Sequence, residues 1–223
     1  AKILRTHMDG KHSIYLLLDE TAFHPKGGGQ PTDTGFIHGP NFRVTVKKAM
    51  LVSEVVVHWG KLVEGVAGEK TILGRLEWDS RYKYMKRHTA GHLFDHCLSV
   101  TTGIAVETVN SWLGDPCYVE YGGECPSIDE VKEAEVLTNQ FISKGSEVVI
   151  KYISYKELFK KASNAPNIKR LRKLEKYRIV TIQGCGSIPC AGTHLKNINE
   201  MDGFFINEIK RYSSSFQIYY DVE

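Results

Sequence analysis

The sequence predicts an α+β protein. Residues 1–78 read as a small β-barrel-like or sandwich domain. Residues 79–223 read as an α+β domain with an antiparallel sheet and helices. Three observations lead there. Short β-branched and aromatic runs, punctuated by Gly, Pro, Asn and Asp, fill the first 78 residues. The periodicity then changes abruptly at Trp78-Asp79-Ser80 to a four-residue recurrence. Beyond that helix, strand-like runs alternate with short helical ones to the end of the chain.

The elements follow in order. Ile14–Leu18, Phe42–Val46 and Val55–Trp59 are the clearest early strands, and the chain already begins inside an apparent one. Asp79 or Ser80 is a plausible N-cap for a helix running to about Ser99. Only Gly91 interrupts that helix, and Tyr84, His88, His92 and His96 share one face. A hairpin is expected around Gly114-Asp115-Pro116. Ser127-Ile128-Asp129-Glu130 reads as a capping box opening a second helix. Val131, Ala134, Leu137 and Phe141 form its apolar stripe and Gly145 its stop. Next come a strand over Val148–Ile153, helices near Tyr155–Lys161 and Ile168–Lys176, and a strand over Tyr177–Gln183. A terminal hairpin pairs Phe204–Lys210 with Phe216–Val222.

Composition narrows the class. The chain has 223 residues, of which 42% are hydrophobic and 25% charged, so disorder is excluded as its main state. No apolar run approaches the roughly 20 residues that cross a bilayer. The five cysteines, at 97, 117, 125, 185 and 190, are odd in number and outline no disulfide framework. With no signal-peptide pattern, a reducing cytoplasm is expected.

The sharpest chemical signal is His88-Thr89-Ala90-Gly91-His92. Two imidazoles at i and i+4 on one helix face can share a metal ion. A second pair, Cys190 and His194, is also four apart, in Pro189-Cys190-Ala191-Gly192-Thr193-His194. Three nitrogens and one sulfur suit tetrahedral zinc. Thr89 stands where a metalloprotease helix carries its general base, so that peptidase class is not expected. Spacing leaves two alternatives: four ligands and a closed structural site, or three ligands and an open position. His96 reads as a packing or helix-end residue, and Cys185 as a plain thiol.

The other unusual stretch is Phe23-His24-Pro25-Lys26-Gly27-Gly28-Gly29-Gln30-Pro31-Thr32-Asp33-Thr34-Gly35. Its glycines permit left-handed backbone and close approach to a ligand. It is neither a P-loop nor a dinucleotide fingerprint, because no Lys-Ser/Thr and no helix follow at the right spacing.

Taken in order, Phe23-x-Pro25-x-Gly27-Gly28-Gly29-Gln30-Pro31-x-Asp33-x-Gly35, His88-Thr89-x-x-His92 and Cys190-x-Gly192-Thr193-His194 resemble the editing region of alanyl-tRNA synthetases and its free-standing relatives, the AlaX proteins. The helix start around Trp78-Asp79 matches loosely, and the likeness runs from about residue 12 to the end. The medium-length AlaX type is the most similar. A threonyl-tRNA editing domain shares the two pairs but not the glycine-rich loop. The resemblance implies hydrolysis of the ester in tRNA(Ala) mischarged with serine, with glycine as a second candidate. It implies one zinc at His88, His92, Cys190 and His194, and a site shaped by Gln30. It also suggests substrate contacts at Gly27, Gly28, Gly29, Asp33, Ala191, Gly192 and Thr193. His24 stands where the family often has Tyr, and Ala191 where Gly is usual.

Serine exceeds alanine by one hydroxyl. A site that hydrogen-bonds that hydroxyl rejects its absence by about 10⁴–10⁵. Gln30 and Thr89 are the candidates for that polar subsite and for catalysis. Two roles for zinc compete, generating the attacking water and positioning the substrate.

Residues 144–178 carry eleven Lys/Arg and three acids, a net +8 within a chain of +3. That asymmetry is the footprint of a phosphate-backbone partner. The expected partner is the acceptor end of tRNA(Ala), met by Lys169, Arg170, Arg172 and Lys173. Arg81, Lys83, Lys86 and Arg87 are expected to contact it beside His88. The rival readings are a non-catalytic RNA-binding module with a closed structural zinc, and an editing fragment of a full synthetase.

Overall fold

Six strands build the first of two units, Ala1–Tyr82, in the computed structural model, which describes residues 1–67 and 71–223. They are β1 (Ile3–Asp9), β2 (Ser13–Leu18), β3 (Gly35–Gly39), β4 (Phe42–Val52), β5 (Val55–Gly65) and β6 (Leu73–Leu76). All pair antiparallel, in the order β1-β2-β5-β4-β3-β6. Strict alternation along β2 buries Ile14, Leu16 and Leu18. Ile37, Phe42, Val44, Val46 and Phe23 complete that core.

The barrel expected from the sequence is not closed. Among the described residues β1 and β6 do not pair as strands. The edges meet where Ala1 and Ile72 exchange backbone hydrogen bonds of 2.9 and 3.3 Å. β6 is only four residues long and β1 is exposed along nearly its whole length. Neither edge offers a buried face that would drive further zippering.

The glycine-rich loop is a miniature hairpin. Gly27 and Gln30 exchange backbone hydrogen bonds of 3.1 and 2.9 Å, and Gly28 and Gly29 take φ of +57° and +80° at the tip. Two consecutive left-handed residues are a type I′ turn, which explains glycine at both positions. The base of the loop is pinned to β4. Lys26 donates to the Ala49 carbonyl, and the Ala49 amide donates to Thr32 Oγ1 at 2.6 Å. Gln30 is fully buried.

Asp33 lies at the foot of the loop and is buried. It accepts from the His24 amide and forms a two-pronged ion pair with the Arg81 guanidinium. Arg81 also donates to the Ala22 carbonyl. A bidentate buried pair of this kind holds the loop against the start of the first helix.

The second unit, Lys83–Glu223, holds two antiparallel sheets. The first helix, α1 (Trp78–Thr102), spans the division between the units. β7 (Thr108–Trp112) and β8 (Tyr118–Gly122) form a hairpin. α2 (Ile128–Lys144) begins with the expected capping box at Ser127 and Glu130 and ends at Gly145, φ +75°. β9 (Val148–Ser154) leads directly into α3 (Tyr155–Lys161), and β10 (Lys176–Ile182) and β11 (Gly186–Pro189) follow. The terminal hairpin is β12 (Phe204–Arg211) and β13 (Ser215–Val222). One sheet runs β12-β13-β8-β7 and the other β11-β10-β9.

Gly91, the single break in the helical pattern, has a packing reason. A Cβ there would lie 2.8 Å from Tyr220 Oη, and that hydroxyl donates to the Arg87 carbonyl at 2.9 Å. Phe94 stacks on Phe204, ring centroids 5.1 Å apart.

One element departs from expectation. The helix over Ile168–Lys176 is only a three-residue 3-10 turn, Ile168–Arg170. Like charges at 169, 170, 172 and 173 crowd a single helical turn and oppose it. The Tyr177 hydroxyl holds the following chain by accepting from the Leu174 amide and donating to the Arg172 carbonyl, both at 2.8 Å.

Asp33→Asn leaves the Arg81 guanidinium buried without its counter-charge. We expect a loss of about 3 kcal/mol in urea unfolding of the full chain. An unchanged midpoint would refute the anchoring role.

A candidate metal centre on the first helix

His88 and His92 project from adjacent turns of α1, with ring centroids 4.8 Å apart. Cys190 and His194 come from the loop after β11. The loop is held at Cys190, whose amide donates to the Arg178 carbonyl at 3.0 Å and whose carbonyl accepts from the Arg178 guanidinium. His194 sits 4.3 Å from His88 and 5.1 Å from His92 by ring centroid. Cys190 Sγ lies 3.3 Å from His88 Nε2. All four candidate ligand atoms fall within 4.8 Å of one another, so the cluster can hold a metal ion.

The donor set fits a cation on a further observation. His92 Nε2 and His194 Nε2 are buried and make no hydrogen bond. Buried ring nitrogens are ordinarily satisfied. The other nitrogen of each ring already has a neighbour. His194 Nδ1 is 3.2 Å from the Gly192 carbonyl, and His92 Nδ1 is 3.7 Å from Asp95 Oδ2. Both Nε2 atoms are thereby presented as ligands.

Electrostatics points the same way for Cys190 and His194, whereas a metal at His92 has to displace a proton. Burial pushes the Cys190 thiol up, but the charge of His88, whose Nε2 lies 3.3 Å from Sγ, holds it well below its ordinary range. The Gly192 amide also donates to Sγ at 3.4 Å. Burial and the His88 charge lower His194 to about 3, which keeps its ring neutral. Burial lowers His92, but Asp95 and Cys190 outweigh it and raise the ring to about 9.

Asp95 is a neighbour of the cluster that the sequence reading missed. It is buried, and the Tyr121 hydroxyl donates to it at 2.6 Å. Its signal was available, since it stands three residues after His92 on the same helix face. Tyr121 had no such signal, because β8 meets α1 only in the folded chain.

Several other candidates take different roles from those expected. Thr89 is fully buried and its Oγ1 accepts from the Leu195 amide at 3.1 Å. It ties the Cys190–His194 loop to α1 and is not exposed to a substrate. Asp33 is consumed by Arg81 and is not free for a ligand. Ala191 is exposed, Thr193 half-buried and Gly192 buried. His96, by contrast, has the packing role expected of it, edge-on against Phe141 at 5.8 Å.

The basic residues divide in the same way. Arg87 is 1% exposed and is not a phosphate contact. Its guanidinium donates to Asp221, Asp115 and the carbonyls of Leu113 and Gly114. Arg81 is spent on Asp33. Lys83 pairs with Asp115 at 3.0 Å, and Lys86 lies 3.9 Å from Asp202. Lys169 pairs with Glu107, and Arg170 donates to the Val109 carbonyl and Thr108 Oγ1. Arg172 and Lys173 are exposed.

A cavity of about 460 Å³ opens beside the cluster. His92, Asp95, His96 and Ser99 form one wall. Val180, Ile182 and Ile188 are apolar lining, and Lys161 and Ser163 lie at the end of α3. Cys185 also lines it, its thiol pushed by burial to about 11.

The family model for class II (A) tRNA synthetases matches residues 2–80. The alanyl-tRNA editing protein AlaX-M of Methanosarcina acetivorans is 30% identical, over 90% of this chain and 85% of its own length. The alanyl-tRNA editing protein AlaX-L of Pyrococcus horikoshii is 33% identical over 90% of this chain and 49% of its own length. The alanine–tRNA ligase of Pyrobaculum aerophilum is 30% identical over 95% of this chain and 24% of its own length.

Two outcomes are expected. Asp95→Asn should weaken metal binding by about 10- to 100-fold in a chelator competition, with the fold intact by circular dichroism. The Arg87 network should make the chain acid-labile. Asp115 is lowered chiefly by Arg87 and Lys83, and Asp221, despite its burial, by Arg87. Lowered carboxylates stabilise above their ordinary pKa of about 4, and that stability is lost as pH falls through the lowered folded values. Melting temperature should fall below about pH 4, and less steeply in Arg87→Met. Parallel pH profiles for the two proteins would reject the assignment.

Proposed function

The chain belongs to the AlaX family of alanyl-tRNA editing proteins, and from that premise we propose that it hydrolyses the aminoacyl ester of mischarged Ser-tRNA(Ala). The observation that carries the reading is the His88, His92, Cys190 and His194 cluster, two of its residues buried and two half-buried, beside a cavity large enough for an aminoacylated nucleoside. The donor set of one sulfur and three nitrogens favours zinc. Bound there, zinc would supply Lewis-acid polarisation or substrate orientation.

The protein's own residues supply the rest. Asp95, itself fixed by Tyr121, orients the His92 ring. Thr89 holds the loop that carries Cys190 and His194 in register with α1. The reaction is attack of water on the ester carbonyl, with the terminal ribose hydroxyl leaving and taking a proton. The ester is reactive, so placement of one water accounts for much of the rate. Serine offers a hydroxyl that a polar subsite can bind, and alanine does not. Glycine offers no such handle and is the weaker candidate. Thr89 is committed to Leu195, and Gln30 is proposed from the family resemblance alone to help shape the site. Gly27, Gly28 and Gly29 are proposed to shape it, and Ala191, Gly192 and Thr193 are proposed to border the substrate.

Phosphate contact is proposed for the basic segment 144–178, chiefly through its exposed lysines and Arg172. A second reading is a non-catalytic tRNA-binding module. It is favoured by one fact: four protein donors suffice to close a tetrahedral site.

The test is incubation of the full chain with Ser-, Gly- and Ala-tRNA(Ala), with and without a chelator. Loss of serine, retention of alanine and arrest by the chelator are expected. Equal loss of alanine would defeat editing, and no loss at all would favour the binding module. Affinity for tRNA should fall by at least about tenfold between 50 and 200 mM salt, as expected for several phosphate contacts. A flat dependence would remove the phosphate contacts.

A further inference from the structure

The first unit carries a polar groove on the outer face of its sheet. Ile37 is buried in the core, so its neighbours Phe36 and His38 point outward from β3. Register puts Arg75 of β6 directly opposite Phe36, and Arg43 of β4 directly opposite His38. These four side chains therefore share one face. The Arg43 guanidinium stands 4.2 Å over the Phe36 ring, which fixes its position. Together with Glu77, Trp78 and Asp79 at the start of α1, they line a cavity of about 600 Å³ that lies wholly within this unit.

The groups in the groove are uncommitted. Arg43 and Arg75 are exposed, and among the described residues neither forms an ion pair. Glu77 and Asp79 are exposed and form none either. Trp78 is 55% exposed. Tyr82 stacks on one face of its indole, ring centroids 5.9 Å apart, and the other face is open. Tryptophan and arginine are the side chains most often found where a surface makes its energetically important contacts.

We propose that this groove binds a nucleoside phosphate, with the base stacked on Trp78, the phosphate on Arg43 and Arg75, and a ribose hydroxyl on Glu77 or Asp79. The chemistry selects that ligand. Planar guanidinium groups pair with phosphate through two parallel hydrogen bonds. An open indole face stacks on a base of any identity. Carboxylates only accept hydrogen bonds when ionised, and ribose hydroxyls donate them. An apolar ligand would leave the charges unmet, and a purely anionic one would meet the carboxylates with repulsion. Glu64 lies across the ladder from Arg43 and lines the same groove, which favours one phosphate over a chain of several. A free nucleotide and a nucleotide within an RNA strand share this chemistry. The inference depends neither on the metal cluster nor on the deacylase reading.

The test is equilibrium dialysis of the full chain with guanosine 5′-monophosphate and with guanosine. Trp78→Ala should weaken both by about 5- to 100-fold, and Trp78→Phe should retain binding. Arg75→Gln should weaken the monophosphate by about tenfold or more and leave guanosine unchanged. A chelator should change neither. No binding of the monophosphate at millimolar concentration, binding that survives both Trp78→Ala and Arg75→Gln, or binding abolished by the chelator would overturn the groove. A short unpaired RNA then separates the two sources. Competition with the monophosphate, with the RNA's own affinity lowered by both substitutions, assigns the groove to a strand. Monophosphate binding without such competition assigns it to a free nucleotide.

Discussion

Satisfaction of polar groups buried along α1 is the constraint on which the second unit depends. The helix carries Arg87, His88, Thr89 and Asp95 into a region closed to water. A buried polar atom without a partner costs roughly 1–3 kcal/mol, and a buried charge more. Each neighbouring element therefore brings a partner. β13 brings Asp221 and Tyr220 to Arg87, β8 brings Tyr121 to Asp95, and Leu195 supplies an amide to Thr89. What is left over is the pair of unsatisfied imidazole nitrogens on His92 and His194. Two orphans that face a thiol and a third imidazole are what a metal-binding fold presents.

The same logic orders the first unit on a smaller scale. Asp33 and Arg81 are buried together, so a short loop and the start of α1 are fixed by one ion pair. The loop's backbone is then free to make the two-glycine turn, because its base is held at Ala49 and its foot at Arg81. A loop rich in glycine is thus tied down at both its base and its foot. Gly28 and Gly29 serve geometry at the tip, while the neighbouring Gln30 is carried into the interior.

Charge behaves differently in the two halves of the basic inventory. Residues next to the cluster in sequence, Arg81 and Arg87, are structural, and their charges are met by Asp33 and by Asp221 and Asp115 respectively. Residues far from it in sequence, on β9, α3 and the chain before β10, keep exposed lysines between exposed rings. Proximity to His88 along the chain was therefore a poor guide to which cations stay exposed.

Local signals determined much of this protein. The HxxxH face, the CxxxH pair, the capping box at Ser127 and the alternation in β2 are written over a few residues and survive in the fold, because helix and strand geometry set them. Motif order was enough to point to the family. The open edge between β1 and β6 was not legible, since closure depends on strand length and on which faces are buried. Nor was the lost helix at Ile168–Lys176, where Tyr177 competes for the backbone. Only the tertiary structure decided that Asp95 and Tyr121 support His92, that Thr89 braces a loop about 100 residues away in sequence, and that Arg87 is buried. Those roles depend on partners from distant elements, and no local pattern can specify which distant atom will satisfy a buried one.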